Sequence, residues 1–329
     1  MAHTFSVPDA VELAVVERSG FVESRHCGSA IVLDPAGEPL RTLGDVSAPV
    51  LPRSCLKPVQ ALACLTAGAD LTGERLALAT ASHSGTDRHV TVVRSILAQA
   101  EAEESMLQCP PAWPGDTATR DELVRELGQP ERIRMNCSGK HAAMLLTCRV
   151  NGWDPTSYLD PGHPLQEHIR EVMERLTGAR ATMTAVDGCG APVYALSLGA
   201  LARAIHRIGT SSEHSPFAMH RAAGSLVRAV REHPWAVDGP GRPDTTAIET
   251  LGVFAKSGAE GVLVMTAPDG TTVALKMLDG GGRASTVVAL TLLVRAGALR
   301  ATDVAQMLPR LPLSVSGGGQ DVGAIRPTV

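Results

Sequence analysis

Segments typical of β-strands lie near both ends of this chain, and segments typical of helices fill the stretch between them. The strand-like segments are short and either β-branched or alternating in polarity, and an Asp269-Gly270 pair predicts a hairpin between the last two. These segments are residues 12–17, 29–33, 39–43, 252–256, 261–265 and 271–278. We therefore expect an α/β (α+β) fold, with a mixed, mainly antiparallel sheet built from both termini and a helical region inserted between them.

Apolar residues at helical spacing predict the helices. These are residues 59–67, 90–103, 120–127, 164–176, 196–208, 216–232 and 284–296, with a short one near residue 302. Residues 238–244 are interpreted as an ordered loop, and the chain has neither an internal repeat nor a low-complexity linker. We expect a single unit of residues 1–329, with a sheet subregion of about residues 1–50 and 250–329 and a helical subregion of about residues 51–249.

Composition argues against several classes of protein. Of 329 residues, 44% are apolar, which is enough for a stable core without disulfides. The formal net charge of −4 predicts no basic surface for nucleic acid, and no run of about 18 apolar residues predicts a membrane span. The N-terminus does not resemble a secretory signal, and the seven cysteines have no framework spacing. We therefore expect a cytoplasmic protein with reduced thiols and with neither nucleic acid nor membrane as a partner.

Lysine is scarce in this chain. Only four of its 30 basic residues are lysines, namely Lys57, Lys140, Lys256 and Lys276. Arginine does not lose its proton in proteins, whereas lysine does when it is buried or placed near another cation. The four lysines are therefore candidates for tasks that need an amine. The alternative is that they are only remnants of a codon bias.

The first candidate site is the pair Ser54 and Lys57. Three residues apart on a helical turn, the two side chains share a face, so the amine can reach the hydroxyl. Pro58 restricts the helix start, which places Ser54 near backbone N–H groups that can stabilise an oxyanion. A lysine with a lowered pKa can take the proton of such a serine. The alternative is a solvated helix start, since Ser-x-x-Lys is common by chance.

Two later segments add candidate catalytic residues. Lys256 begins a Lys-Ser-Gly sequence at the end of a predicted strand. An early Ser-x-x-Lys and a late Lys-Thr/Ser-Gly on a strand occur in this order in serine β-lactamases and penicillin-binding proteins. Ser82 lies in a small, hydroxyl-rich turn after an apolar run, where it can face a pocket or cap a helix.

Two cysteines, Cys137 and Cys189, lie in short polar segments that could meet in the fold. Two thiolates and a third donor are a possible ligand set for zinc, which prefers sulfur and nitrogen. The spacing is not a standard zinc signature, so buried reduced cysteines are the alternative.

Together these segments resemble the family of thermolabile L-asparaginases typified by the inducible rhizobial enzyme. The resemblance covers nearly the whole chain and is carried by six blocks in one order. They are residues 53–60, 81–84, 87–89, 136–141, 187–189 and 276–280. The resemblance implies a fold like that of serine β-lactamases and serine-dependent glutaminases, and a homodimer. It also implies two Ser–Lys pairs in one cleft, which match Ser54 with Lys57 and Ser82 with Lys256.

The same resemblance implies a zinc site beside the cleft, formed by two cysteines and an unusual lysine. The matching residues are Cys137, Lys140 and Cys189. The implied reaction is hydrolysis of the side-chain amide of L-asparagine to L-aspartate and ammonia, with Ser54 as nucleophile and neutral Lys57 as its base. The alternatives are a related amidase acting on glutamine, a β-lactam or a peptide, and a non-catalytic, zinc-stabilised asparagine-binding protein.

Overall fold

In the computed structural model, which describes residues 3–329, eleven strands form two antiparallel sheets. In chain order the strands are β1 (Val11–Arg18), β2 (Phe21–Leu33), β3 (Pro39–Leu43), β4 (Pro49–Val50), β5 (Met183–Val186), β6 (Pro192–Ser197), β7 (Phe254–Gly258), β8 (Val262–Thr266), β9 (Thr272–Met277), β10 (Ser314–Gly317) and β11 (Gln320–Pro327). Strands β4, β6 and β5 form the smaller sheet, and the other eight form the main sheet.

The described residues also form eleven α-helices. In chain order they are α1 (Lys57–Thr66), α2 (Gly73–Ala79), α3 (Asp87–Gln99), α4 (Thr117–Arg125), α5 (Ser138–Asn151), α6 (Pro164–Thr177), α7 (Leu198–Gly209), α8 (Ala218–Glu232), α9 (Pro243–Leu251), α10 (Ser285–Arg295) and α11 (Ala301–Met307). A 3₁₀ turn, Arg53–Leu56, leads directly into α1. None of the helices in residues 3–329 is long and apolar enough to cross a membrane.

Strands from the two ends of the chain meet in the middle of the main sheet. The strand order is β10-β11-β1-β2-β9-β8-β7, and β3 pairs with β2 beside β9. The N-terminal and C-terminal strands pair twice, β1 with β11 and β2 with β9, where Ser29 lies opposite Lys276. This confirms the predicted fold class, a sheet built from both termini with a helical region inserted. The predicted boundaries of the two subregions stay a prediction.

The hairpin between β8 and β9 forms where Asp269-Gly270 predicts it. Gly270 has a φ of 99°, a left-handed conformation that glycine adopts without a steric penalty. The Asp269 carboxylate accepts a hydrogen bond from the Thr271 N–H at 2.9 Å, which closes the turn. Both strands are buried along their whole length, which explains their continuous apolar character.

The C-terminal hairpin of β10 and β11 is not among the sequence predictions. It contains few β-branched residues, and Gly318 and Gly319 form its turn with positive φ angles. Its strand β11 is held by pairing with β1, where Val15 lies opposite Arg326. This strand is therefore formed by a tertiary contact rather than by local preference.

Helix α5 also lies outside the predicted helices, although it is central to the helical region. It packs against α3, α2, α1 and α6, and every residue from Ser138 to Cys148 is buried. A helix that is buried on all sides has no polar face, so its sequence shows no helical periodicity. It carries Lys140 and His141 into the interior.

Candidate active site

Lys57 is a buried amine at the first residue of α1. Its side chain is buried, and its Nζ donates hydrogen bonds to Ser82 Oγ at 3.0 Å and to the carbonyl oxygen of Ala81. Within residues 3–329 it forms no ion pair with a carboxylate. Burial lowers the pKa of the Lys57 amine, against the opposing charge of Cys137. The amine is therefore suited to accept a proton from a neighbouring hydroxyl.

Ser54 lies one turn before Lys57 in the 3₁₀ turn and is half-buried. Its hydroxyl takes part in no hydrogen bond among the described residues. The end of β7 lies against this turn, because a Cβ at Gly258 would come within 3.0 Å of the Pro52 carbonyl oxygen. The residue before Ser54, Arg53, has a φ of 50°, which is strained for a side-chain-bearing residue. The serine is thus held at a tight junction between the edge strand and α1.

Lys256 is the second buried amine, on the edge strand β7. Its Nζ lies 3.6 Å from Asp244 Oδ2 and donates to the carbonyl oxygen of Ser257 at 2.7 Å. No hydrogen bond joins Lys256 to Ser82 among residues 3–329. The structure therefore brings Ser82 to Lys57, whereas the resemblance pairs Ser82 with Lys256.

Asp244 was missed by the sequence analysis. It lies in the first turn of α9, is 1% exposed, and accepts hydrogen bonds from the Ser257 N–H at 2.7 Å and from the Ser257 hydroxyl at 2.5 Å. It falls at the end of the stretch interpreted as an ordered loop, where Pro243 instead begins the helix. An aspartate within an Arg-Pro-Asp sequence gave no signal of its partner on β7.

Cys137, Lys140 and Cys189 come together beside Lys57. The Lys140 Nζ lies 3.1 Å from Cys189 Sγ, and all three side chains are buried. A hydrogen bond with Cys189 lowers the pKa of the Cys137 thiol well below its usual value, and the amines of Lys57 and Lys140 act in the same direction. The cluster therefore places two buried cysteines beside the buried amine of Lys140.

The donors of this cluster fit a zinc ion. Two sulfurs and one amine nitrogen are ligand types that zinc accepts, and a fourth position would remain for water or substrate. The buried Nε2 of His141 has no hydrogen-bond partner among the described residues. Within residues 3–329 no three His, Cys, Asp or Glu side chains are grouped to hold a metal, so such a site depends on the Lys140 amine.

Arg53 and Asp187 connect this cluster to the 3₁₀ turn. The Arg53 Nε donates to Asp187 Oδ1 at 2.6 Å, and Asp187 Oδ2 accepts a weak hydrogen bond from Cys189 Sγ at 3.7 Å. Burial alone would raise the pKa of Asp187, but the Arg53 hydrogen bond and the Lys140 charge lower it. The ion pair therefore fixes the turn that carries Ser54.

A cavity of about 170 Å³ opens beside Ser82. Among the residues that line it are Ser82, Ser84, Trp113, Arg134, Asn136 and Arg242. Larger cavities of about 420 Å³ beside α7 and about 380 Å³ beside Lys276 are lined by neither Ser82 nor Lys57. Of these three cavities, the one of about 170 Å³ is lined by Ser82, the hydrogen-bond partner of Lys57.

Several solved structures are similar to the protein in fold. Mglu in its glutamate form is 13% identical, with a TM-score of 0.47 over 82% of this chain and 61% of that chain. A Bacillus glutaminase is 14% identical, with a TM-score of 0.44 over 82% of this chain and 91% of that chain. A β-lactamase from Mycobacterium bovis is 16% identical, with a TM-score of 0.43 over 83% of this chain and 95% of that chain. The present chain thus spans less than two thirds of the length of Mglu.

The sequence itself gives the family. The model of the L-asparaginase II family matches residues 14–327. The chain therefore belongs to the L-asparaginase II family, whose name denotes hydrolysis of a side-chain amide. Among curated protein sequences, none matches the chain significantly. This confirms the asparaginase resemblance, and the roles of the individual site residues stay predictions.

Proposed function

We propose that the protein is an L-asparagine amidohydrolase that forms L-aspartate and ammonia through an acyl-serine intermediate. The observation that carries the proposal is the buried Lys57 amine, 3.0 Å from Ser82 Oγ at the edge of a small cavity. Membership of the L-asparaginase II family supports the amide as substrate. An amine without a carboxylate partner is suited to act as a general base.

In the proposed reaction, neutral Lys57 takes the proton of the Ser54 hydroxyl. The Ser54 oxygen attacks the carbon of the substrate's side-chain amide at the same time. The C–N bond then breaks, and the nitrogen leaves as ammonia with a proton relayed through Ser82 from the Lys57 ammonium. Water hydrolyses the resulting β-aspartyl ester and restores the serine. The hydrogen bond between Lys57 and Ser82 supports this relay, and Ser82 is the alternative nucleophile.

The size of the cavity favours a small free amino acid. Pockets for drug-sized ligands usually span about 300–1,000 Å³. The cavity at Ser82 has a volume of about 170 Å³, which disfavours a β-lactam or a peptide as substrate. Glutamine differs from asparagine by one methylene group, so discrimination between the two is a matter for direct measurement.

We also propose that Cys137, Lys140 and Cys189 hold zinc beside this cavity. The Lys140 amine would bind the metal in its neutral form, since a ligand must offer a lone pair. A zinc ion bound there would orient the substrate or the hydrolytic water. The homodimer and the cytoplasmic location stay predictions.

The test is ammonia release from L-asparagine and L-glutamine by purified protein whose zinc content is measured in the same preparation. We expect release from asparagine, about one zinc per chain, and loss of both zinc and stability in Cys189→Ser. Ser54→Ala should remain folded and inactive, and mass spectrometry of rapidly quenched wild type should find the acyl group on Ser54.

Other outcomes have distinct meanings. An active, folded Ser54→Ala variant would make Ser82 the nucleophile. Asparagine binding without ammonia release would favour a binding protein, and turnover of glutamine alone would make the protein a glutaminase. Protein purified without zinc and fully active would remove the metal from the proposal.

A further inference from the structure

Two arginines, Arg134 and Arg242, line the cavity beside Ser82, and only one of them is free to bind a ligand. Arg134 directs its three nitrogens at two carboxylates and a backbone carbonyl oxygen, at distances of 2.8 to 3.0 Å. Its hydrogen-bonding capacity is therefore largely used within the protein.

Arg242 is anchored by one edge of its guanidinium group. Its Nε donates to Asp238 Oδ1 at 2.7 Å, and Asp238 is buried. In the hydrogen bonds and ion pairs of residues 3–329, neither terminal nitrogen of Arg242 has a partner. One of them, Nη1, lies 3.9 Å from where a Cβ would stand on Gly115, which also lines the cavity. The group thus faces the cavity with two free nitrogens and a fixed orientation.

Ser84 is a second unused donor in the same cavity. Its side chain is 3% exposed, and its hydroxyl has no hydrogen-bond partner among the described residues. The backbone of Gly239 lies close against this hydroxyl, with a φ of 136°, so a larger residue there would displace it. A buried hydroxyl without a partner carries a free-energy cost, which a ligand that accepts its hydrogen bond would remove.

We propose that this cavity is the subsite for the α-carboxylate of a free amino acid, and that Arg242 is the residue that binds it. The inference rests on the proposed function, because the proposed function places the substrate beside Ser82. The planar fork of an arginine matches a carboxylate through two parallel hydrogen bonds. Ser84 adds a third donor, and the cavity then selects free amino acids over substrates whose α-carboxylate is blocked.

The test compares Arg242→Gln with wild type on L-asparagine and on L-asparaginamide, in which an amide replaces the α-carboxylate. Wild type should prefer asparagine. In the variant, kcat/KM for asparagine should fall by about 10- to 100-fold, mainly through KM, because a charge-assisted contact is lost. The value for L-asparaginamide should change by less than about threefold. Arg242→Lys, which keeps the positive charge but lacks the planar guanidinium group, should recover part of the loss.

Arg310→Gln is the matched control. Arg310 is 49% exposed and pairs with Glu249 on α9, whereas Arg242 is 47% exposed and precedes the same helix. Removing Arg310 should leave both substrates unaffected, and melting temperatures of all variants report on folding. Equal losses on both substrates in Arg242→Gln, or a loss of the same size in Arg310→Gln, would overturn the inference.

Calorimetric titration with L-aspartate separates the inference from the proposed function. If wild type releases no ammonia from asparagine, the proposed function fails. Weaker L-aspartate binding in Arg242→Gln would still support the carboxylate subsite. Unchanged binding, or no binding to wild type, would overturn it.

Discussion

The start of α1 and the edge strand β7 each carry a buried lysine, yet the two amines have different partners. Lys57 and Lys256 are both 1% exposed. On β7, the Lys256 amine faces the carboxylate of Asp244 at 3.6 Å. At α1, the Lys57 amine faces the Ser82 hydroxyl and backbone carbonyl oxygens, and no carboxylate of residues 3–329 pairs with it.

This difference shows that the two lysines are equally buried and are distinguished only by their hydrogen-bond and ion-pair partners. Burial lowers the pKa of Lys57, and the positive charge of Lys256 contributes in the same direction. Two close amines resist being charged together, so a charged Lys256 favours a neutral Lys57.

The largest expected effect follows from removing the base. Lys57→Met should lower kcat for L-asparagine by about 10³-fold, because a positioned proton acceptor usually contributes 10²–10⁴-fold. Steady-state kinetics would measure the loss, and circular dichroism would show whether the variant is folded. A folded Lys57→Met variant with wild-type kcat would mean that Lys57 is not the base.

A second prediction concerns Asp244, the carboxylate that lies beside Lys256. Asp244→Asn leaves the Lys256 ammonium buried without a counter-charge, which should lower the free energy of unfolding by about 3–5 kcal/mol. Urea denaturation would measure the change. The double variant with Lys256→Met should recover most of the stability, since it removes the unpaired charge. A loss below about 1 kcal/mol in the single variant would show that Lys256 needs no carboxylate.

The smallest expected effect is a shift along the pH axis. The proposed active form of Lys57 is the neutral amine, so kcat/KM should rise as pH increases through the pKa of this group. Because burial lowers that pKa, the midpoint of the rise should lie below about 10.4, the usual value for lysine. A profile of kcat/KM from pH 6 to 10.5 would measure it. A midpoint at or above the usual value would mean that burial does not favour the neutral amine of Lys57.

The sequence predicted the parts of the fold whose signals are local. Periodicity located both strand groups, and residues 164–176 nearly coincide with α6. Helix α5 and the C-terminal hairpin were missed, because burial from Ser138 to Cys148 removes periodicity from the first and pairing with β1 forms the second.

The scarcity of lysine pointed to Lys57, Lys140 and Lys256, which all lie in the site region, but also to Lys276. The Lys276 amine donates to the carbonyl oxygens of Glu260 and Met277, and no catalytic partner is among its hydrogen bonds in residues 3–329. A compositional signal therefore identified candidates without showing which of them lie beside Ser82 and the cysteines.

The sequence by itself determined the family, the sheet built from both termini, and the residue types available for chemistry. Only the tertiary structure decided that Lys57 meets Ser82, that Asp244 meets Lys256, and that Arg242 faces the cavity. The physical reason is that sequence patterns and tertiary contacts depend on different distances. Sequence patterns report neighbours three or four residues apart, whereas hydrogen bonds and ion pairs act over a few ångströms between segments that only the folded chain brings together.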